Sequence, residues 1–271
     1  MAAPSEITVP QLLRLIGTPD CPVLVDISID ADFTEDPLLI PGAFRHPHTD
    51  YAGLVSRLAG RRCVVICQQG IKLSQGLVAR LRDDGHSAEY LQGGNHGWRD
   101  NHGAPRIPAT AIPAPAEGAT LWVTRHRPKV DRIACPWLIR RFVDPAARFL
   151  FVSPDQVLGV ADRYGATPFD VENVFWSHRD DRCSFDTMLD EFGLRTAALD
   201  RLSRVVRGAD TDRHQISPQA AGLLAISVGL SRQFRDDHDQ LAAGMVLYDA
   251  LYRWARDGHN EGHDWPADRR S

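Results

Sequence analysis

The sequence predicts a chain in two parts: an α/β part whose parallel sheet is covered by helices on both faces, then a mainly α part with a small sheet. Three observations carry this. Up to residue 100, apolar runs of four or five residues alternate with amphipathic stripes, the pattern of strands buried on both faces. Residues 101–118 then hold four prolines and small residues with no apolar period, which reads as an extended linker. Past the linker, helical periodicity takes over. The 271 residues amount to about 1.8 domains at about 150 residues per domain, room for two modest ones.

The elements follow in order. Thr8 stands before an amphipathic segment, Gln11 to Ile16, with leucines at 12, 13 and 15. A β-rich run covers residues 23–27. A helix fits Tyr51 to Leu58, and a buried strand fits Cys63-Val-Val-Ile-Cys67. Ser74 to Arg82 places Leu77, Val78 and Leu81 on one helical stripe, and a strand from Glu89 to Leu91 runs into Gly93-Gly94. In the second part, residues 119–271, two β-like runs cover 121–123 and 149–152. Helical patterns cover 130–142, 154–164, 186–192, 197–207, 218–230 and 236–254.

Charge and cysteine usage exclude several classes. Residues 1–118 carry 10 basic and 13 acidic side chains, and residues 119–271 carry 21 and 22. Neither part has the basic excess of a nonspecific nucleic-acid binder, so no nucleic-acid partner is expected. No run approaches about 18 apolar residues, so no membrane span is expected. The start lacks the basic cap and apolar core of a secretory signal, and the five cysteines form no CxxC pair. Together these features predict a cytoplasmic protein in a reducing compartment.

The densest chemistry of the first part is Cys67-Gln68-Gln69-Gly70-Ile71-Lys72. A buried strand delivers Cys67, a loop containing glycine follows, and a helix begins close behind. Loop amides and a helix start supply partial positive charge, and Lys72 supplies a full one. Each favours thiolate over thiol, which makes Cys67 the candidate nucleophile and Lys72 its candidate partner. Gln68, Gln69, Gly70 and Ile71 are the candidate anion-binding loop, with Asp26 as a polar anchor at the end of a neighbouring strand.

Three further stretches agree with that loop in order and spacing: Leu24-Val25-Asp26, Ile40-Pro41-Gly42-Ala43, and Leu91-Gln92-Gly93-Gly94 followed by Trp98. Together they resemble the rhodanese, or sulfurtransferase, family over residues 1–100. The resemblance implies that Cys67 takes sulfane sulfur from a small donor such as thiosulfate and holds it as a persulfide. A thiol or cyanide acceptor then receives it, with no cofactor required. Ser28 and Leu39 stand where the family has arginine and histidine. Lys72 replaces the usual arginine, keeping the charge but not the bidentate fork.

The second part is densest over residues 124–142. Lys129, Arg132 and Arg140, with Cys135 among them, are candidates for binding a divalent oxyanion. A basic helix paired with Asp131 and Asp144 is the competing reading. His178 and Cys183, Asp210 and Asp212, and His238 are scattered candidates for a metal site, and such mixed ligands suit zinc or iron. They lack the tight spacing of a ligand motif, and each also fits a helix cap or a surface group.

The run at 124–142, with Cys183-Ser-Phe-Asp186, residues 206–212 and residues 244–251, resembles the C-terminal domain of the chromate resistance protein family. This resemblance spans residues 120–256 and implies a link to chromate, a tetrahedral dianion like sulfate. Three functions are expected from the whole: sulfur transfer at Cys67, sensing or binding of chromate with a vestigial first part, or metal-dependent redox activity in the second part.

Overall fold

The computed structural model describes residues 5–115 and 118–262. Glu6–Ile7 forms β1, and Thr8 caps α1 (Val9–Leu15) in a reciprocal capping box with Gln11. The first part continues with β2 (Val23–Asp26), α2 (Asp30–Glu35), β3 (Leu38–Leu39), β4 (Ala43–Arg45) and α3 (Tyr51–Leu58). Then come β5 (Cys63–Ile66), α4 (Lys72–Asp83), β6 (Ala88–Leu91), α5 (Gly94–Asp100) and β7 (Ile107–Pro108). Five strands build a wholly parallel sheet in the order β1-β6-β5-β2-β4.

The central strand β5 explains why residues 63–67 are apolar throughout. Successive side chains on a strand point to opposite faces. Cys63, Val65 and Cys67 join Leu54, Leu58, Val78 and Leu81 from α3 and α4. Val64 and Ile66 belong to the other layer, with Leu12 of α1 and Trp98 of α5. The parallel sheet with helices on both faces is therefore present.

The proline-rich stretch behaves differently from an extended linker. β7 pairs antiparallel with β3, setting Ile107 opposite Leu39. Trp98 donates its indole N–H to the Pro105 carbonyl at 3.0 Å, and Arg106 pairs with Asp36. Ile107 is buried, and Ala104, Ala111 and Ile112 pack against the same core, contacts that composition conceals.

The second part holds β8 (Leu121–Arg125), α6 (Asp131–Leu138), β9 (Arg148–Val152), α7 (Val157–Tyr164) and β10 (Thr167–Pro168). It closes with α8 (Ser184–Glu191), α9 (Ala197–Asp210), α10 (Ala220–Gln233) and α11 (Asp237–Arg253). The three strands form a small parallel sheet in the order β10-β8-β9. The helix expected over 130–142 changes character at residue 139, where a wider π turn (Ile139–Val143) takes over from α6. Pro136 inside α6 has no N–H to give the ladder, so the regular bonding is already broken there. Among the described residues, no helix is long and apolar enough to cross a membrane.

The two parts share a core. The layer containing Leu12 and Trp98 runs on into Trp137, Phe142, Phe185 and Tyr248. Gly17 marks the tightest point. Its φ is +78°, and a Cβ there would sit 2.3 Å from Phe142 Cζ, inside the second part. Gly17→Ala is expected to lower stability by about 2 kcal/mol, from overpacking and a left-handed backbone together. Urea unfolding checks this, and an unchanged midpoint would mean that the contact is not part of the stable core.

Candidate functional site

The second part builds its site around the loop between β8 and α6, which α11 holds in shape. Tyr248 donates its hydroxyl to the Val130 carbonyl at 3.0 Å, Gln240 donates to the Pro128 carbonyl, and Asp237 accepts the Arg127 N–H at 2.9 Å. Arg127 and Val130 both have positive φ, +53° and +41°. A β-branched residue in that region is strained, so this loop persists because α11 overdetermines it. Its end delivers Asp131 as the first residue of α6, fully buried.

Asp131 meets the start of α8. Its Oδ2 accepts the Ser184 N–H at 2.6 Å and the Phe185 N–H at 3.4 Å, where the helix dipole favours a carboxylate. Asp170 approaches from the loop after β10, itself at φ +52°. One of its oxygens accepts the Ser184 hydroxyl at 2.8 Å, and the other pairs with Arg125 at 3.2 Å and Arg132 at 3.3 Å. Asp210 ends α9, and its Oδ1 accepts the Asp131 N–H at 3.4 Å.

These carboxylates converge on His178. Its Nε2 lies 3.1 Å from Asp210 Oδ2, 3.3 Å from Asp170 Oδ1 and 3.5 Å from Asp131 Oδ2. One ring nitrogen carries at most one proton, so it cannot bond all three oxygens, two of which also accept from Ser184. The other oxygen of Asp131, Oδ1, is buried without a hydrogen-bond partner. Ligand atoms of Asp131, Asp170 and His178 all lie within 4.8 Å of one another, the grouping that can hold a metal ion.

The protonation pattern follows from the crowding. Burial pushes the Asp131 carboxyl well above its usual range, and Asp210 and Asp170 add to the shift. Burial acts on Asp170 too, but hydrogen bonds from His178 and Ser184 and the charges of Arg132 and Arg125 outweigh it and hold Asp170 low. His178 is raised to about 10 by its hydrogen bonds to Asp170 and Asp210. The imidazolium thus joins Arg125 and Arg132 in balancing the charge of this cluster.

The structure sorts the residues singled out from sequence. His178 and Asp210 come together, whereas Asp212 and His238 lie elsewhere. Asp212 is exposed and pairs with His214 at 3.5 Å, and the exposed His238 ring packs against Phe151. Cys183 precedes α8 and turns its sulfur to Asp186 Oδ2 at 3.4 Å. Burial and the nearby Asp131 push up the thiols of both Cys183 and Cys135, which keeps them protonated. Arg140 parts company with Lys129 and Arg132: it donates to the Ala147 carbonyl at 3.1 Å and lies over the Phe149 ring. Asp170 and the ligand role of Asp131 escaped sequence reading. In the sequence Asp131 stands out only as an aspartate ahead of an apolar helical run, and Asp170 carries no such mark.

In the first part, Cys67 follows β5 and is buried, and its Sγ donates to Ser74 Oγ at 3.2 Å. The start of α5 grips the loop from behind, since Asn95 and His96 donate their N–H groups to the carbonyls of Cys67 and Gln68, both at 3.0 Å. Gly70 must be glycine: at φ +69° its Cβ would lie 2.4 Å from the Leu91 carbonyl oxygen. Asp26 braces the arrangement, accepting the Ser28 N–H at one oxygen and the Asn95 amide at the other, each at 2.8 Å. Gln68 is half-buried, Gln69 and Ile71 are exposed, and the exposed Lys72 opens α4. The sequence pointed to Lys72 as the sulfur's partner, and Ser74 is the residue found in contact with it.

Fold and cluster together define a class: an α/β part joined to a mainly α part that gathers carboxylates and an imidazole at one point. Residues 122–255 match the family model described as ChrB, C-terminal domain. The chain is 34% identical over 137 residues to Protein ChrB of Cupriavidus metallidurans, covering 48% of this chain and 39% of that protein. The second part is thus similar to the C-terminal domain of ChrB, and the chain spans 39% of the length of that relative. Among solved structures, SSP1007 from Staphylococcus saprophyticus is 24% identical, covering 36% of this chain and 96% of that one, with a TM-score of 0.32. Reduced Bacillus anthracis CoADR-RHD is 14% identical, covering 34% of this chain and 16% of that one, with a TM-score of 0.30.

Proposed function

We propose that this protein is a metal-binding, chromate- or oxyanion-responsive binding protein, with its metal held by Asp131, Asp170, His178 and Asp210. One observation carries the reading: three carboxylate oxygens face His178 Nε2 while Asp131 Oδ1 is buried without a partner. A proton on Nε2 serves one of those oxygens, and a divalent cation serves all of them. Carboxylates with one imidazole form an oxygen-rich donor set, which suits Mn²⁺ or Fe²⁺ better than a thiolate-rich zinc site. The thiols of Cys135 and Cys183 stay outside this set.

Titration of chelator-treated protein tests the proposal. One equivalent of Mn²⁺ per chain is expected to bind and to raise the melting temperature, stabilising by about 2.7 kcal/mol at a hundredfold excess over Kd. Asp170→Asn is expected to abolish both effects. No saturable binding, or binding unchanged in that variant, would overturn the reading.

A second activity, sulfur transfer in the first part, draws support from the placement of Cys67. Its sulfur stands at a strand end beside Ser74, within a loop whose carbonyls are tied back by α5. Ligands of parallel α/β sheets sit at this edge.

A further inference from the structure

A second set of functional groups lies outside the carboxylate cluster. Arg127 and Lys129, on the strained loop before α6, face Val228, Ser231 and Arg232 of α10 across a cleft of about 180 Å³. That is several times the roughly 30 Å³ that one water occupies. No acidic residue lines it.

Two observations indicate that the cleft is built to receive an anion. Three of its five lining side chains, Arg127, Lys129 and Arg232, are cationic. Like charges side by side repel one another, and an anion seated between them relieves that repulsion. In addition, Ser231 is 2% exposed, and its Oγ is buried with no hydrogen-bond partner. A helical serine ordinarily returns its hydroxyl to the preceding turn. Beside it, the Ser231 carbonyl accepts the Arg127 guanidinium at 2.8 Å. That bond fixes Arg127 against α10 and sets the width of the cleft.

We infer that Arg127, Lys129, Ser231 and Arg232 form a binding site for a tetrahedral divalent oxyanion of the sulfate class. Arginine and lysine supply charge-assisted donors, and the hydroxyl supplies a neutral one. The inference does not rest on the metal reading, because none of these four residues belongs to the carboxylate cluster.

The test is calorimetric titration of the full chain with sodium sulfate, hydrogen phosphate and chromate at constant ionic strength. Saturable binding of at least one dianion, one per chain, is expected. Arg232→Ala and Lys129→Met are each expected to weaken it at least about tenfold, and Ser231→Ala by a smaller factor. Circular dichroism of the variants confirms that they fold. Chelator-treated protein is expected to bind the anion as untreated protein does, which separates this site from the metal centre. Absence of saturable binding by all three anions, or equal affinity in native protein, Arg232→Ala and Lys129→Met, would overturn the inference.

Discussion

His178→Ala is expected to weaken Mn²⁺ or Fe²⁺ binding at least about a hundredfold, since it removes a ligand where loss of a supporting contact alone costs ten- to a hundredfold. The same change destabilises the metal-free protein at pH 7, because three carboxylates then face one another without the imidazolium between them. Removing one partner of a buried pair costs about 3–5 kcal/mol, and the 42% exposure of the His178 side chain reduces this to about 1–2 kcal/mol through solvent screening.

The pH dependence has a definite sign. The pKa of His178 is raised to about 10 in the folded chain, above the value near 6.5 of an unfolded histidine. Its pairing therefore stabilises the metal-free fold fully below about pH 6.5 and is lost as pH rises through about 10. Asp131, also raised, acts in the same direction, since its charged form is the disfavoured one. The metal competes with these protons, so its apparent affinity is expected to climb from pH 6 to pH 9 with proton release. His178→Ala is expected to flatten that climb. Calorimetry in buffers of different ionisation enthalpy measures the protons released, and a pH-independent affinity in native protein would contradict this prediction.

Complete loss of sulfur transfer is expected for Cys67→Ser. In the proposed forward step, the Cys67 thiolate would attack the outer sulfur of thiosulfate, breaking the sulfur–sulfur bond, releasing sulfite and leaving a persulfide. Cyanide would then take the outer sulfur as thiocyanate and return the thiolate. A hydroxyl at position 67 cannot replace the thiolate as nucleophile at neutral pH. The same loop predicts a second, independent loss in Gly94→Ala. Gly94 has φ +56°, and a Cβ there would sit 2.1 Å from the Cys67 carbonyl oxygen and 2.5 Å from the Gly70 nitrogen. Those are backbone atoms and cannot swing aside, so the loop must open and take Cys67 with it. A thiosulfate–cyanide assay on the three proteins decides the matter. Equal background rates in all of them would remove sulfur transfer and leave the first part as a scaffold.

The sequence made long elements legible and short ones not. α3 was readable to the residue, because an apolar stripe starts after Asp50, whose side chain accepts the Gly53 N–H. β5 was readable because four consecutive buried residues leave little choice. β1, β3 and β7 are two residues each, and their pairing is dictated by neighbours rather than by local pattern. α5, with the sequence GNHGWRD, has no apolar stripe and exists because its N-terminus is bonded to the Cys67 loop.

The candidate site shows the same limit. His178 and Asp210 are residue types that suggest ligands, but so are Asp212 and His238, and only the fold separates the pairs. Asp170 lies in a loop 39 residues from Asp131 in the sequence, with a left-handed backbone that nothing nearby announces. Oxyanion candidates divided likewise. Lys129 and Arg140 flank one helical run, yet the π turn and the packing of Phe149 carry Arg140 away, while Arg232 arrives from a helix a hundred residues on.

Anomalous scattering from crystals grown with manganese locates the metal proposed between Asp131, Asp170, His178 and Asp210. One strong peak is expected at about 2.0–2.3 Å from an oxygen of each aspartate and from Nε2 of the histidine. A map with no peak at that point, or with manganese bound only at surface carboxylates, would contradict it.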